Sequence, residues 1–383
     1  MSCTCALHGC HGVSGGRRDG GREGGRGRLS STSPALRLPH VSPHMSHTLL
    51  HLTTTHDHTN HVQLTEDLAK LKISGRESPA GGKGREKTRL TKGTGQSIKA
   101  GTGKIGGPFT LSENPAYLAK RLKLYESIAA KRAAELEGKP KTPLTVTLPD
   151  GSVKEGTAWV TTPYDIAAGI SQSLADNAIV ARIKYTEAVD TSALGLLKVE
   201  DGLDVEGSSA AGAGGGGFGE AMLWDLTRPL LGSCTLQLLK FDDPEAKAVF
   251  WHSSAHMLGQ ALEKKYGAHL TIGPPVQDGF YYDCYMGDHG VSPTEFKDVE
   301  GLVGKSTKAK ERFERLVVTK EEALELFGYN AFKASIIRSK ITEGGHTTVY
   351  RNGDLIDLCR GPHLAHTGRV KAFAAVKNSG ANW

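Results

Sequence analysis

Two short runs carry the residues best suited to chemistry: His252-Ser-Ser-Ala-His256 and Asp357-Leu-Cys359-Arg-Gly-Pro-His363. In each run two side chains with nitrogen or sulfur lone pairs stand four residues apart. On a helix that spacing sets both on one face, a turn apart. Two histidines answered by a cysteine and a histidine, beside an aspartate, suit a tetrahedral zinc site. They suit equally a metal-free pocket in which a histidine and a carboxylate activate water near neutral pH. A lone histidine on an apolar helix face reads as a satisfied core residue, but a matched pair of pairs does not. The residues alone leave zinc and hydrolysis open, and both require the fold to join the two runs.

Other candidates are weaker. Gly273-Pro-Pro275 followed by Asp278-Gly-Phe-Tyr-Tyr-Asp283 reads as a tight turn with a core strand, or as pocket lining. Lys333, after Phe332 on a predicted helix, reads by itself as an exposed lysine. Gly-Thr-Gly-Lys104-Ile lacks the spacing and the following helix of a phosphate-binding loop.

The elements that must position these residues begin well into the chain. Of its 383 residues, 1–110 hold 16 Lys and Arg against 7 Asp and Glu, leaving 31 against 34 beyond, so the formal +6 comes from the leading segment. A basic folded surface does not follow from the overall charge. Residues 1–111, rich in Gly, Arg, Ser and His, are expected to be a disordered leader. Its first 61 residues are compatible with an organelle transit peptide or with a eukaryotic extension. Nine of the sixteen histidines fall in that tract, without flanking elements to fix a metal site. Six scattered cysteines suggest a reduced intracellular protein, and no apolar run is long enough to span a membrane.

Order is expected from Ser112. A stripe from Tyr117 through Tyr125 and Ile128 predicts a helical linker over 112–141, with Lys120, Arg121, Lys123, Lys131 and Arg132 on a solvated face. Residues 142–241 read as a small β-grasp, ubiquitin-like sheet. Its strands are Leu144–Leu148, Val153–Val160, Ile179–Ile183, Ala221–Leu226 and Thr235–Phe241. One helix is opened by Thr162, Pro163 and Asp165. The glycine-rich 186–220 reads as a loop insertion. Residues 242–383 then form an α+β domain. Asp243-Pro244 caps a helix ending at Gly267, Thr319–Glu322 is a capping box, and strands are expected at Thr347–Tyr350, Asp354–Leu358 and Val370–Val376.

These stretches closely resemble threonyl-tRNA synthetase of the eukaryotic cytosolic type. The resemblance rests on Leu148-Pro-Asp-Gly151, Thr161-Thr-Pro-Tyr164, Leu174-Ala-Asp-Asn177, Trp224-Asp-Leu, Trp251-His-Ser-Ser-Ala-His256, Gly279-Phe-Tyr-Tyr-Asp283, Asp357–His363 and His366-Thr-Gly368. It covers about residue 112 to the end. It implies a TGS domain, the β-grasp unit, followed by an editing or second additional domain that hydrolyses serine wrongly attached to threonine tRNA. By motif match the editing pocket would be lined by His252, His256, Lys333, Asp357, Cys359 and His363. Water activation would fall to His252 with Lys333 or Asp357 nearby, while Cys359 and His363 would hold the terminal adenosine ester.

The resemblance also lowers the expectation of zinc at His252, His256, Cys359 and His363, because threonyl editing is regarded as metal-free. ATP and the threonine-selecting zinc belong to the family's synthetic core. Class II ATP-binding motifs and an anticodon-binding domain are missing from the sequence, which reads as a truncated product keeping at most proofreading. The implied partner is the acceptor end of tRNA(Thr) carrying serine. Cytoplasmic location and a monomer are expected, with import by the leader an option. The competing readings are a non-catalytic fragment that binds tRNA or partner proteins, and a zinc-binding module.

Overall fold

A computed structural model describes residues 2–7, 105–189, 219–276 and 279–381. The expected leader, apart from 2–7 and 105–111, lies outside the described residues, as does the expected insertion between 190 and 218. Ser2–Leu7 forms a strand, β1.

The linker is a helix, α1 (Ala116–Glu137), closing at Gly138 as its apolar stripe predicts. Tyr125 and Ile128 bury against Leu316, Val318, Leu326 and Phe327 of the last domain, so α1 packs on it as an integral layer. Lys120, Lys123 and Lys131 are exposed. Arg121, expected on that solvated face, is instead buried, because Glu263 supplies a counter-charge within 2.6 Å.

The β-grasp unit follows: β2 (Pro143–Thr147), β3 (Val153–Thr157), α2 (Pro163–Ile170), α3 (Gln172–Asn177), β4 (Val180–Tyr185), β5 (Met222–Trp224) and β6 (Cys234–Leu239). Sheet order is β3-β2-β6-β4-β5, with β2 and β6 parallel at its centre. Alternation in β2 buries Leu144 and Val146 and leaves Pro143 and Thr145 outside, as one-sided sheet burial demands. The α2 capping box forms as the sequence predicts. Thr162 Oγ1 accepts from the Asp165 N–H, and the Asp165 carboxylate accepts from the Thr162 N–H at 2.9 Å.

In the last domain, α4 (Pro244–Tyr266) is buried along most of its length and ends at Gly267, whose φ of 68° supplies the left-handed turn. The Asp243 carboxylate does not cap it as expected. It accepts from the Lys240 N–H at 2.8 Å, tightening the turn before the helix. After α4 come β7 (His269–Leu270), β8 (Pro275–Val276), β9 (Gly279–Tyr285), α5 (Phe296–Ala309), β10 (Glu314–Thr319), α6 (Lys320–Leu326), α7 (Ala331–Lys340), β11 (His346–Asn352), β12 (Leu355–Leu358) and β13 (Lys377–Ala381). One sheet runs β13-β1-β9-β7 with β8 paired to β9, and a second runs β10-β11-β12.

Val370–Val376, expected as a strand, is irregular. Only Val370 is buried, and the strand lies downstream in β13, where β1 offers an edge to pair with. One hydrophobic core unites Val180, Leu223 and Leu239 of the β-grasp unit with Trp251, Leu258 and Tyr282 of the last domain. The two units are therefore fused through shared apolar burial.

Candidate active site

Helix α4 carries His252 and His256 on one face, their ring centroids 5.1 Å apart. The loop leaving β12 brings Cys359 and His363 against that face, so the two distant runs do meet. The His363 ring lies 4.6 Å from that of His252 and 4.3 Å from that of His256. Cys359 Sγ stands 3.4 Å from His252 Nε2 and 3.2 Å from His363 Nε2. One ligand atom from each of the four residues lies within 4.8 Å of every other. Three of the four are buried, and His252 alone keeps an edge towards solvent.

Ser253 sets the proton on His363. Its hydroxyl donates to the Val249 carbonyl at 2.8 Å and accepts from the Leu364 N–H at 3.0 Å. With its one proton committed, the serine can only accept from His363 Nδ1, 3.0 Å away. His363 Nε2 therefore presents a lone pair to Cys359, and the thiol donates to it.

Asp357 bonds directly to Lys333 and Tyr282 and reaches His252 through its charge. Oδ1 lies 2.5 Å from Lys333 Nζ, and Oδ2 accepts the Tyr282 hydroxyl and faces His256 Nε2 at 3.7 Å. Lys333 is 3 % exposed, against its reading as a surface lysine. It projects inward because α7 turns that face to β7, and its ammonium also donates to the Thr271 carbonyl at 3.1 Å. Paired in this way, a buried charge is tolerated.

Burial dominates the titration of the cluster. It pushes His252 down to about 4, partly opposed by the Asp357 charge. Burial holds His256 and His363 well below the usual histidine range, reinforced for His256 by His252 and Lys333 and for His363 by His256 and His252, and the Cys359 thiol is pushed up by burial and by Asp357. At neutral pH the cluster holds three neutral imidazoles and a thiol beside a Lys–Asp ion pair.

The same residues pass a fit test for a metal. A tetrahedral zinc with N and S ligands has donor–donor edges of about 3.5 Å, near the two Cys–His separations. His256 Nδ1 is buried without a partner. A thiol hydrogen bond accounts for the Cys–His distances equally well.

Sequence reasoning did not place Tyr282 or Ser253 in the site. Tyr282 lies inside the quoted Gly279–Asp283 run, and alternation in β9 sends it inward. Ser253 gave no signal beyond adjoining His252. A cleft of about 910 Å³ lies among α1, the Asp225–Leu231 segment and β10, with Asp225 and Phe313, both neighbours of His363, in its wall. Its lining includes Arg228, Arg312, Arg315 and Arg351.

Comparison with known proteins bears on both units. Residues 144–240 match the TGS domain, and residues 347–382 match the threonyl and alanyl tRNA synthetase second additional domain. The chain thus carries these two domains in that order. It is 44 % identical over 276 residues to the cytoplasmic threonine–tRNA ligase of Caenorhabditis elegans, covering 72 % of this chain and 33 % of that one. Against cytoplasmic threonine–tRNA ligase 1 of Rattus norvegicus it is 44 % identical over 285 residues, 74 % of this chain and 36 % of that one. For the Homo sapiens counterpart the figures are 43 % over 281 residues, 73 % and 34 %. The chain thus spans about a third of the length of these relatives. The histidine pair of α4 lies upstream of the matched editing segment, which contains Asp357, Cys359 and His363. Among its described residues no helix is long and apolar enough to cross a membrane.

Proposed function

We propose that this chain hydrolyses the ester of serine mischarged onto tRNA(Thr). One missing methyl separates serine from threonine by only about 1–3 kcal/mol of binding, so a second, hydrolytic site is the physical remedy. The observation that carries the reading is the convergence of His252, His256, Cys359 and His363 with the Lys333–Asp357 pair in one largely buried pocket.

Neutral His252, with its edge open to solvent, accepts a proton from the attacking water. Lys333, held by Asp357 and Thr271, supplies positive charge to the developing oxyanion. Cys359 and His363 shape the pocket around the terminal ribose, and His256 fixes the Asp357 carboxylate. The arginines of the 910 Å³ cleft favour a phosphate-bearing partner, although the chain beyond residue 110 carries no net positive charge. The acceptor end of tRNA(Thr) is that partner. The relatives' names favour the cytoplasm, and we read the chain as a monomer.

The test is deacylation of seryl-tRNA(Thr) by the purified chain, beside His252→Ala and Cys359→Ala. Cleavage lost in both variants supports the pocket; a folded wild-type chain that leaves the ester intact refutes it. A zinc-binding reading is kept open by the unpartnered His256 Nδ1 and the close donors. Stoichiometric zinc in the purified chain, with hydrolysis lost on chelation, would favour it.

A further inference from the structure

The editing pocket takes one of its supports from outside its own domain. Asp225 follows β5 in the TGS unit and is 6 % exposed. Its Oδ1 accepts the backbone N–H of His363 at 2.8 Å, and its Oδ2 accepts the Tyr350 hydroxyl at 2.8 Å. Both donors belong to the editing domain, more than 120 residues downstream.

Tyr350 in turn shapes the same histidine. Its ring stands edge-on to the His363 imidazole at 4.5 Å, while Phe313 stacks on that imidazole at 5.0 Å. The loop lies so close to Tyr350 that a Cβ at Gly361 would sit 2.1 Å from the Tyr350 hydroxyl oxygen, and Gly361 has a φ of +72°. One carboxylate therefore fixes the main chain of His363 and one wall of its ring.

The turn holding Asp225 is itself rigid. The Arg228 N–H donates to the Asp225 carbonyl at 3.1 Å, Trp224 Nε1 donates to the Arg228 carbonyl at 3.1 Å, and the Tyr164 N–H donates to the Leu226 carbonyl at 2.9 Å. Buried Trp224, Leu226 and Leu230 root it in the TGS core.

We propose that Asp225 of the TGS domain is a positioning residue of the ester-hydrolysing pocket. It sets the loop that carries His363 and, 3.2 Å further, the Cys359 thiol. The pocket is then a two-domain structure, completed only when the TGS turn is seated. The assignment rests on the hydrolytic reading above. A carboxylate that merely cements two domains would leave turnover untouched once the protein is folded.

The experiment compares the full 383-residue chain with Asp225→Ala and Asp225→Asn. In the asparagine variant the amide oxygen still accepts from His363 and its nitrogen can donate to Tyr350, so both contacts survive in altered form. Displacing a catalytic loop by an ångström costs about 100-fold in rate. The expected result is a loss of that order in kcat for seryl-tRNA(Thr) in the folded alanine variant, with KM nearly unchanged and most of the rate restored in the asparagine variant. Wild-type kcat in the alanine variant, or a loss confined to KM, would overturn the proposal. Should Asp225→Ala fail to fold, Asp225→Ser, too short to reach both donors, decides by the same kcat criterion.

Iodoacetamide labelling, followed residue by residue, separates this claim from the hydrolytic reading. Even if the wild-type chain proves inactive, Cys359 should be alkylated faster in Asp225→Ala, with Cys234 and Cys284 unchanged. Equal Cys359 labelling in variant and wild type would sink the positioning role.

Discussion

Two buried ionic clusters pack along α4, one at its C-terminal end and one against its middle, and they differ in how much of their bonding capacity is used. At the C-terminal end Arg121 meets Glu263 through two contacts, at 2.8 and 2.6 Å. Tyr329 accepts from Arg121 at 2.5 Å and donates to Glu263 at 2.8 Å. Tyr117 closes the cluster by stacking on Tyr329, ring centroids 3.9 Å apart. Only Arg121 Nε lacks a partner there. Such a cluster has little left to offer a ligand; it clamps α1 to the editing domain.

The middle of the same helix carries the opposite arrangement. Lys333 and Asp357 are as deeply buried as Arg121 and Glu263, yet the groups beside them keep capacity in reserve. His256 Nδ1 has no partner, and His252 faces solvent on one edge. Burial with nearly every bond made is a structural use of charge, while burial with lone pairs uncommitted suits binding and chemistry.

The sharpest break of this contrast is Glu263→Ala, which strands a buried guanidinium. It should cost about 3–5 kcal/mol of stability, read as a drop in denaturation midpoint, and leave the hydrolytic rate per folded molecule unchanged. His252→Ala should do the reverse. A fall of about 100- to 10,000-fold in ester hydrolysis is expected, the range for a lost general base, with a melting temperature close to wild type. Comparable stability losses in the two variants would dissolve the distinction.

Acidification should discriminate next. Burial lowers the folded-state pKa of His252, His256 and His363, so between pH 6.5 and about 4 the unfolded chain binds more protons than the folded one. Stability is therefore full above pH 6.5 and lost as pH falls. Each fully neutral buried histidine should account for about 2 kcal/mol at pH 5. Chemical denaturation at pH 7 and pH 5 measures it, and His363→Gln should flatten the dependence. Loss of the α2 capping box in Thr162→Ala, remote from both clusters, should cost about 1 kcal/mol without affecting hydrolysis. The smallest effect is expected from EDTA, which should leave ester cleavage intact; inhibition reversed by added zinc would convert the pocket into a metal centre.

Local order was readable in advance because it depends on neighbours in sequence. Thr162 and Thr319 cap the helices they were expected to cap, and Gly138 and Gly267 end theirs. The four-residue spacing of each histidine-bearing run predicted a shared face correctly for α4. The Cys359–His363 run is not helical; a loop delivers both residues to the same point. Arg121 and Lys333 were read as solvated because an isolated lysine or arginine favours water. Their burial depends on Glu263 and Asp357, carboxylates 142 and 24 residues away, which no window of sequence reveals.

By itself, then, the sequence determined where most helices begin and end, which residues could do chemistry, and which known domains they resemble. The tertiary structure alone decided that Asp357 bonds to Lys333 and Tyr282, that Ser253 sets the His363 proton, and that Asp225 reaches in from another domain. The physical reason is range. Caps and periodicities act over a turn or two of chain, whereas a buried charge or an imidazole tautomer is set by whichever donor or acceptor the packed core brings within about 3 Å.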